Sequence, residues 1–284
     1  MNEPVWDLWV VGGDARQCEL ADLLAEDGHT VHTYALERAV SCRSDLSGIA
    51  QADGVILPLP VLDGRGALNT PLSDRTLEPA RLFGQLLPGQ RLLAGRPESE
   101  VRALAASFGL SITDYYASEE IAVLNAIPTA EGAVRLAMDA LSVTLHGARC
   151  VIAGFGRVGQ ALAARLAALG CRVWVAERSR ARQALAQSQG LDCGGFDRLP
   201  GHLSRAQLVF NTVPAVVFGP AELSALPCRT PLIELASPPG GVDLQAASAL
   251  GIRLIPAPGL PGKTAPRSAA RYLRDAVYSI MLGV

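Results

Sequence analysis

Residues 150–170 read CVIAGFGRVGQALAARLAALG, and this stretch decides the fold. An apolar run typical of a buried strand leads into Gly154, Gly156 and Gly159 in the spacing G-x-G-x-x-G, and an Ala/Leu-rich stretch with helical spacing follows. In a strand-turn-helix unit the three glycines allow a tight turn, close approach of the backbone to a pyrophosphate, and close packing of helix on strand. The stretch therefore predicts a dinucleotide site, and its expected cofactor contacts are Gly154, Phe155, Gly156, Arg157, Val158 and Gly159.

The choice of dinucleotide depends on the end of the next apolar run, CRVWVAE, residues 171–177. NAD enzymes place a carboxylate here on the ribose hydroxyls, whereas NADP enzymes place cations around the 2′-phosphate. Glu177 favours NAD, but Arg178, Ser179, Arg180 and Arg182 follow at once and suit a phosphate. We expect NADP rather than NAD, with Glu177 turned aside to pair with an arginine. The alternative is that these arginines are solvent-exposed residues at the start of a helix and do not contact a cofactor.

The rest of the chain repeats this alternation of apolar runs, Gly-containing turns and helical stretches, which predicts parallel sheets. Strands are expected within residues 8–13, 29–34, 53–60, 90–95 and 110–116, and then within 148–156, 171–177, 206–214, 230–237 and 252–259. The expected fold class is α/β: two doubly wound, Rossmann-like, parallel-sheet domains joined by two crossing helices, similar in layout to D-2-hydroxyacid dehydrogenases. The expected bounds are 1–118 for a flavodoxin-like substrate domain, 119–145 for a linking helix, 146–262 for the NADP domain and 263–284 for a helix packing back on the first domain.

Ligands of open α/β sheets bind at the carboxyl ends of the strands, so residues there are candidates for a cleft between the domains. The loop FNTVP adds Asn211, Thr212, Val213 and Pro214 to the expected cofactor contacts. Asp14, Arg16 and Gln17 stand at a helix start after two glycines, which suits a substrate carboxylate. The alternative for these three is an internal Asp14–Arg16 contact in a surface turn.

A second candidate group surrounds Pro128, where Asn125, Thr129 and Glu131 lie in a proline-marked bend of the linking helix. They are candidate catalytic residues, and the alternative is ordinary capping with Thr129 as the N-cap. The four histidines are His29, His32, His146 and His202, so the late acid/base histidine of D-2-hydroxyacid dehydrogenases is missing. A general base must then be a carboxylate, lysine, tyrosine or water.

Composition limits the partners. The 27 acidic and 25 basic residues give a net charge of -2, which argues against a nucleic-acid partner or an anionic membrane surface. No apolar run reaches the ~18 residues that span a bilayer, so we expect a cytoplasmic protein without a membrane partner. The six cysteines lack any C-x-x-C spacing, which predicts buried reduced thiols and no metal site. The low charge, 18% of residues, is compatible with a homo-oligomer.

Taken in order, six motifs resemble the family of dipicolinate synthase A subunits from sporulating bacteria. They are GGDARQ (12–17), NAIPTAEG (125–132), GFGRVGQ (154–160), FNTVP (210–214), LASPPGG (235–241) and APGLPGKTAP (257–266). The resemblance implies oxidation of a dihydrodipicolinate-type ring, formed from 4-hydroxy-tetrahydrodipicolinate by loss of water, to dipicolinate with NADP as hydride acceptor. It also implies the flavoprotein-like B subunit of dipicolinate synthase as partner, in the cytoplasm of the mother cell.

The resemblance places Gly259 and Gly262 beside the substrate, and a dicarboxylate would suit Arg16, Lys263 and Arg267 as cationic anchors. We take Glu131 as the hypothetical base. The chain departs from the family pattern at Pro238, where many relatives are expected to have a basic residue, and at Lys263, the one lysine, which we expect to replace that charge. Two alternatives stay open: another NADP-linked reductase of a small carboxylate, of the imine or shikimate type, and a non-catalytic NADP-binding scaffold protein.

Overall fold

Two parallel sheets organise the chain in the computed structural model, which describes residues 4–283. The residues fall into two units, one made of the chain up to Asn125 together with that from Pro261 onward, the other of Ala126–Leu260. All strand pairs within the two sheets are parallel, which confirms the expected fold class.

The first unit has a five-stranded sheet in the order β2-β1-β3-β4-β5. Its elements before the long helix are β1 Asp7–Val11, α1 Ala15–Glu26, β2 Thr30–Tyr34, β3 Gly54–Ile56, α2 Pro79–Phe83, β4 Arg91–Ala94, α3 Ser99–Ser107 and β5 Ser111–Asp114. Strand β1 is buried on both faces, since Leu8 and Val10 pack in one core cluster while Trp9 and Val11 pack in another. All five expected strands are present.

Helix α11, Pro266–Leu282, belongs to this unit and packs along α1. Its Leu273 and Val277 are buried in the same apolar cluster as Leu20 and Leu24 of α1. The apolar stripe of the last helix therefore covers the face of the sheet that α1 leaves incomplete.

The second unit has a six-stranded sheet in the order β11-β10-β9-β6-β7-β8. Its elements are β6 Arg149–Ala153, α5 Arg157–Ala168, β7 Arg172–Ala176, α6 Arg180–Ser188, β8 Asp192–Gly194, α7 Leu199–Leu203, β9 Leu208–Asn211, α8 Pro220–Ser224, β10 Leu232–Glu234, α9 Leu244–Ala249 and β11 Leu254–Pro256. The edge strand β8 is absent from the sequence-based expectation, because three residues ending in glycine carry no periodic signal. Helix α10, Leu260–Thr264, follows the last strand.

Helix α4, Glu119–Ala140, runs through Pro128 without a break. It ends at Ala140, five residues before the end of the expected linking helix, residues 119–145. Judged by length and composition alone, it could cross a membrane. Its Ala130, Ala133 and Ala137 are buried in the core of the second unit, as in the core helix of a globular fold.

The cysteines are all free thiols, as expected, but they are not all buried. Cys18 and Cys150 are buried, three others are half-buried, and Cys228 is exposed. Burial raises the pKa of Cys18 to about 11, so this thiol stays protonated at neutral pH.

Candidate dinucleotide site and neighbouring residues

The loop between β6 and α5 is shaped by two glycines whose positions leave no room for a side chain. Gly154 has φ +92°, and a Cβ there would lie 2.5 Å from Oγ1 of Thr212. A Cβ on Gly159 would lie 2.2 Å from the carbonyl oxygen of Gly154. The positive φ of Gly154 fits the tight turn expected of the first glycine, and the close approach at Gly159 fits the close packing expected of the third.

Gly156 behaves differently, because a Cβ at that position would meet no protein atom within 4 Å. It is the N-cap of α5, and no side chain caps this helix. The open space beside Gly156 and the uncapped helix start fit a diphosphate, which takes hydrogen bonds from backbone N–H groups at a helix N-terminus. Val158, in the first turn, is half-buried, and Arg157 is exposed.

Glu177 is buried at the end of β7, with 4% of its surface exposed, and it faces the glycine loop. One carboxylate oxygen accepts from the N–H of Phe155 at 2.9 Å, and the other accepts from the N–H of Ser179 at 2.9 Å. The nearest arginine nitrogen, on Arg182, is 3.9 Å away. Glu177 therefore pairs with an arginine, as expected, but its shorter contacts are to two backbone amides.

Three arginines surround a cavity of about 330 Å³ beyond the ends of β7 and β8. They are Arg178, Arg180 and Arg198, with Asp197 as the carboxylate of the lining. Arg198 belongs to a one-turn 3₁₀ helix after β8, a position that no motif connects with the glycine loop. Ser179 caps α6, since its hydroxyl accepts from the N–H of Arg182 at 3.4 Å.

The loop after β9 is fixed by Asn211, which is fully buried. Its amide nitrogen donates to the Glu234 carboxylate at 2.9 Å and to the carbonyl of Val213 at 3.0 Å, and its amide oxygen accepts from the Val213 N–H. The side chain is thus committed to protein partners, and the expectation of an Asn211 contact with the cofactor is corrected to a positioning role. Thr212 bonds back to the carbonyl of Ala153 at 2.8 Å, whereas Val213 is half-buried and Pro214 exposed.

In the first unit Asp14, Arg16 and Gln17 form an internal network. The Asp14 carboxylate caps α1 and binds the Arg16 guanidinium at 2.8 Å, while Gln17 accepts from the N–H of Asp14 and donates to the hydroxyl of Tyr115. Arg16 also donates to the carbonyl of Leu59 at 2.7 Å. The internal Asp14–Arg16 pair exists, in a buried place rather than in a surface turn, and Gln17 is a capping residue instead of a substrate contact.

Some of the predicted substrate residues near α10 are packed against the protein, and others are exposed. Gly262 is packed against Asp14, because a Cβ there would lie 2.6 Å from its carboxylate. Lys263 and Gly259 are exposed. Arg267 forms ion pairs with Glu19 at 3.1 Å and Glu26 at 2.7 Å, and these bonds raise the pKa of its guanidinium. The expected role of Arg267 as a substrate anchor is corrected: its charge is already balanced.

On α4, Asn125 and Thr129 are half-buried, and Thr129 is not an N-cap because the helix begins ten residues earlier. Glu131 is exposed and pairs with Arg165 at 3.3 Å. Arg165 lies eight residues beyond the first residue of α5, about 12 Å along that helix. The structure therefore does not bring Glu131 to the glycine loop.

A parallel sheet whose first strand leads through this glycine loop into an uncapped helix defines the class: the second unit is the nucleotide-binding domain of an NAD(P)-dependent dehydrogenase. Residues 125–217 match the family model described as "D-isomer specific 2-hydroxyacid dehydrogenase, NAD binding domain". Residues 7–116 match the family model for the N-terminal domain of the A subunit of dipicolinate synthase.

Comparison with known proteins gives the family. The dipicolinate synthase A subunit of Bacillus subtilis (strain 168) is 31% identical over 280 residues, which cover 96% of this chain and 94% of the relative. The crystal structure of the A subunit from Bacillus halodurans superposes with a TM-score of 0.85 at 27% identity, covering 98% of this chain and 99% of that one. The crystal structure of the Bacillus subtilis protein gives 0.82 at 29% identity, with 99% and 97% covered. The chain belongs to the family of dipicolinate synthase A subunits.

Proposed function

We propose that the protein oxidises a dihydrodipicolinate-type ring to dipicolinate with NADP as oxidant. The precursor, 4-hydroxy-tetrahydrodipicolinate, first loses water to give the dihydro ring. The ring then gives up a hydride and a proton, and the electron pair of the second C–H bond completes the aromatic system. When bound, the nicotinamide accepts the hydride. Because aromatisation makes this step strongly downhill, water is a sufficient proton acceptor, and no role for Glu131 is required.

The observation that carries the NADP assignment is the arginine-lined cavity beyond β7 and β8. The adenosine ribose of a dinucleotide lies at the end of the second strand of such a unit, where β7 ends here. Arg178, Arg180 and Arg198 would bring three guanidiniums to a 2′-phosphate, against the single carboxylate of Asp197. Charge-assisted bonds to phosphate are among the strongest in proteins, so this cavity favours NADP over NAD.

Glu177 also supports NADP over NAD, because it is bound to the backbone around the glycine loop. Its carboxylate holds the Phe155 and Ser179 amides and so shapes the glycine loop from within. A carboxylate with both oxygens engaged by backbone donors is less available to the ribose hydroxyls, which is the contact that selects NAD. We therefore assign Glu177 to positioning of the loop.

For the substrate carboxylates we propose Arg16, together with Lys263. Two guanidinium nitrogens of Arg16, Nε and Nη2, are used by Asp14 and Leu59. Its Nη1 takes no part in that network, although the residue is buried, with 5% of its surface exposed. Lys263 is exposed at the end of α10 and is the second cation offered to a dianion.

The relatives are named as one subunit of a synthase, which implies a partner. We propose that the chain works with the flavoprotein-like B subunit of dipicolinate synthase, in the cytoplasm of a sporulating mother cell. The motifs behind this proposal extend over both units, and the family match covers 96% of the chain.

The test is turnover of freshly made 4-hydroxy-tetrahydrodipicolinate, followed by the rise of aromatic absorbance. Reactions contain the chain alone or with the B subunit, and NADP or NAD. The proposal expects dipicolinate with NADP, accompanied by an equal amount of NADPH. A chain that forms no product under any of these conditions contradicts it, and product that appears without reduction of NADP would assign the oxidation to the partner and leave this chain a scaffold.

A further inference from the structure

A second cationic groove lies at the amino edge of the six-stranded sheet, away from the glycine loop. It has a volume of about 900 Å³ and is lined by the starts of β6 and β7, the approach to β8, and α7. Arg149 and Arg172 are the first residues of β6 and β7, whose last residues lead into the dinucleotide site. The first and last residues of β6 are four positions apart, which is about 13 Å along the strand. The groove is therefore separated from the glycine loop, although Arg198 lines both the groove and the arginine cavity proposed for the 2′-phosphate.

The arrangement of the arginines is the first argument for a ligand. Arg149 and Arg172 are register partners on neighbouring parallel strands, so their side chains leave the same face of the sheet about 4.8 Å apart. Arg205 and Arg198 line the same groove. Within residues 4–283 none of these four arginines forms an ion pair, although the chain as a whole has more acidic than basic residues.

Several arginines elsewhere in the described chain have carboxylate partners. Arg16, Arg267 and Arg274 each lie within 3.3 Å of a carboxylate, and Arg165 pairs with Glu131. In the groove Asp192 is the one carboxylate of the described lining, against four guanidiniums. Adjacent like charges repel each other, and an anion bound between them would remove that repulsion.

An aromatic pair forms one wall of the groove. The ring of His202 stacks on Trp174 with centroids 3.8 Å apart and planes 9° from parallel. Desolvation lowers the pKa of His202, and the charges of Arg198 and Arg205 lower it further, while Asp192 opposes them. The imidazole is thus neutral among arginines, and an anion in the groove would favour its protonation.

We propose that this groove, built on Arg149, Arg172 and Arg205, binds a small phosphate-rich anion of the di- or triphosphate class. Guanidiniums bind phosphate oxygens in pairs, and several positive charges facing one cavity match the charge of a polyphosphate better than that of a dicarboxylate. The volume is that of a small-molecule site. Arg149, Arg172 and Arg205 do not line the cavity proposed for NADP, so variants at these three positions separate the two sites.

Titration calorimetry of the full chain with inorganic tripolyphosphate tests the proposal. Arg149→Gln and Arg172→Gln are each expected to weaken binding about 10- to 100-fold, the worth of one charge-assisted hydrogen bond. Arg271→Gln is the matched control, since it removes the same charge from an exposed position on α11. It is expected to bind tripolyphosphate as the unaltered chain does, and all three variants are expected to keep their affinity for NADP.

Thermal unfolding without ligand provides a second measurement that does not depend on binding. If the arginines repel each other, Arg172→Gln unfolds at the same or a higher temperature than the unaltered chain and gains less from added tripolyphosphate. Binding of tripolyphosphate should also take up a proton at His202, visible as a buffer-dependent heat that His202→Gln lacks. The proposal is overturned if Arg271→Gln weakens binding as much as Arg172→Gln does. It is also overturned if a hexaglutamate peptide binds as tightly as tripolyphosphate, since that outcome would assign the groove to an acidic protein surface.

Discussion

Replacement of Gly156 by alanine separates binding of the dinucleotide from folding of its loop. Gly156 has φ -75° and ψ -167°, a backbone conformation that alanine adopts without strain. A Cβ there meets no protein atom within 4 Å, so the fold has room for the new methyl group. We expect the free energy of unfolding to stay the same or to rise by about 0.4–1 kcal/mol, since alanine reduces the freedom of the unfolded chain.

The same methyl group would occupy the space that a pyrophosphate needs beside the start of α5. If it displaces the phosphate from even one backbone N–H group, the loss is that of a charge-assisted hydrogen bond, about 1.5–3 kcal/mol. That loss corresponds to about 10- to 100-fold in the dissociation constant of NADP. Fluorescence titration with NADPH and urea unfolding on the same Gly156→Ala sample measure both quantities.

Gly159→Ala is the matched comparison, because its Cβ would lie 2.2 Å from the carbonyl oxygen of Gly154. The loop and α5 must move apart, so this variant should lose about 1–3 kcal/mol of stability as well as cofactor binding. A Gly156→Ala protein that binds NADPH as tightly as the unaltered chain would refute the placement of the pyrophosphate. A Gly156→Ala protein as unstable as Gly159→Ala would refute the claim that the space is open.

Three further outcomes are expected. Arg180→Gln should weaken NADP about 10- to 100-fold by calorimetry while NAD binds as before, and an equal loss for both dinucleotides would remove the 2′-phosphate from the arginine cavity. Asn211→Asp puts a second carboxylate beside Glu234 and should lower the free energy of unfolding by about 1–3 kcal/mol in urea, whereas no loss would mean that the buried amide does not fix the loop. Desolvation lowers the pKa of His202 in the folded state, so the stability that its neutral ring contributes is complete above the unfolded pKa of about 6.5. That stability is lost as the pH falls through the folded pKa. His202→Gln should therefore flatten this part of a plot of unfolding free energy against pH, and an unchanged slope would contradict the pKa shift.

Much of the fold could be predicted from the sequence because most of its strands are short apolar runs followed by glycine-containing turns. The tasks of Gly154 and Gly159 also followed from spacing alone, and the structure gives both as steric conflicts with named atoms. Strand β8 could not be predicted, because its three residues have no strand-like pattern of their own. They form a strand because they pair with β7 at the sheet edge.

The polar residues were harder to assign, because a sequence shows which groups are present but not which partners they already have. Asp14 and Gln17 stand three residues apart before an apolar helix, the signature of a capping box, and that spacing was the available signal for their structural role. The partners of Arg267 became evident only in the fold, where α11 packs on α1 and brings this side chain to two glutamates. The position of Arg198 in the arginine cavity became evident only in the fold, since strand β8 brings the chain after α6 back beside Arg178 and Arg180.

We propose that a hydride passes from the substrate ring to NADP on this chain. The most direct measurement uses a substrate deuterated at its saturated ring carbons, turned over by the chain with its partner protein, followed by mass spectrometry of the NADPH formed. We expect NADPH that carries one deuterium per dipicolinate produced. Dipicolinate formed with unlabelled NADPH, or with no NADPH at all, would contradict it.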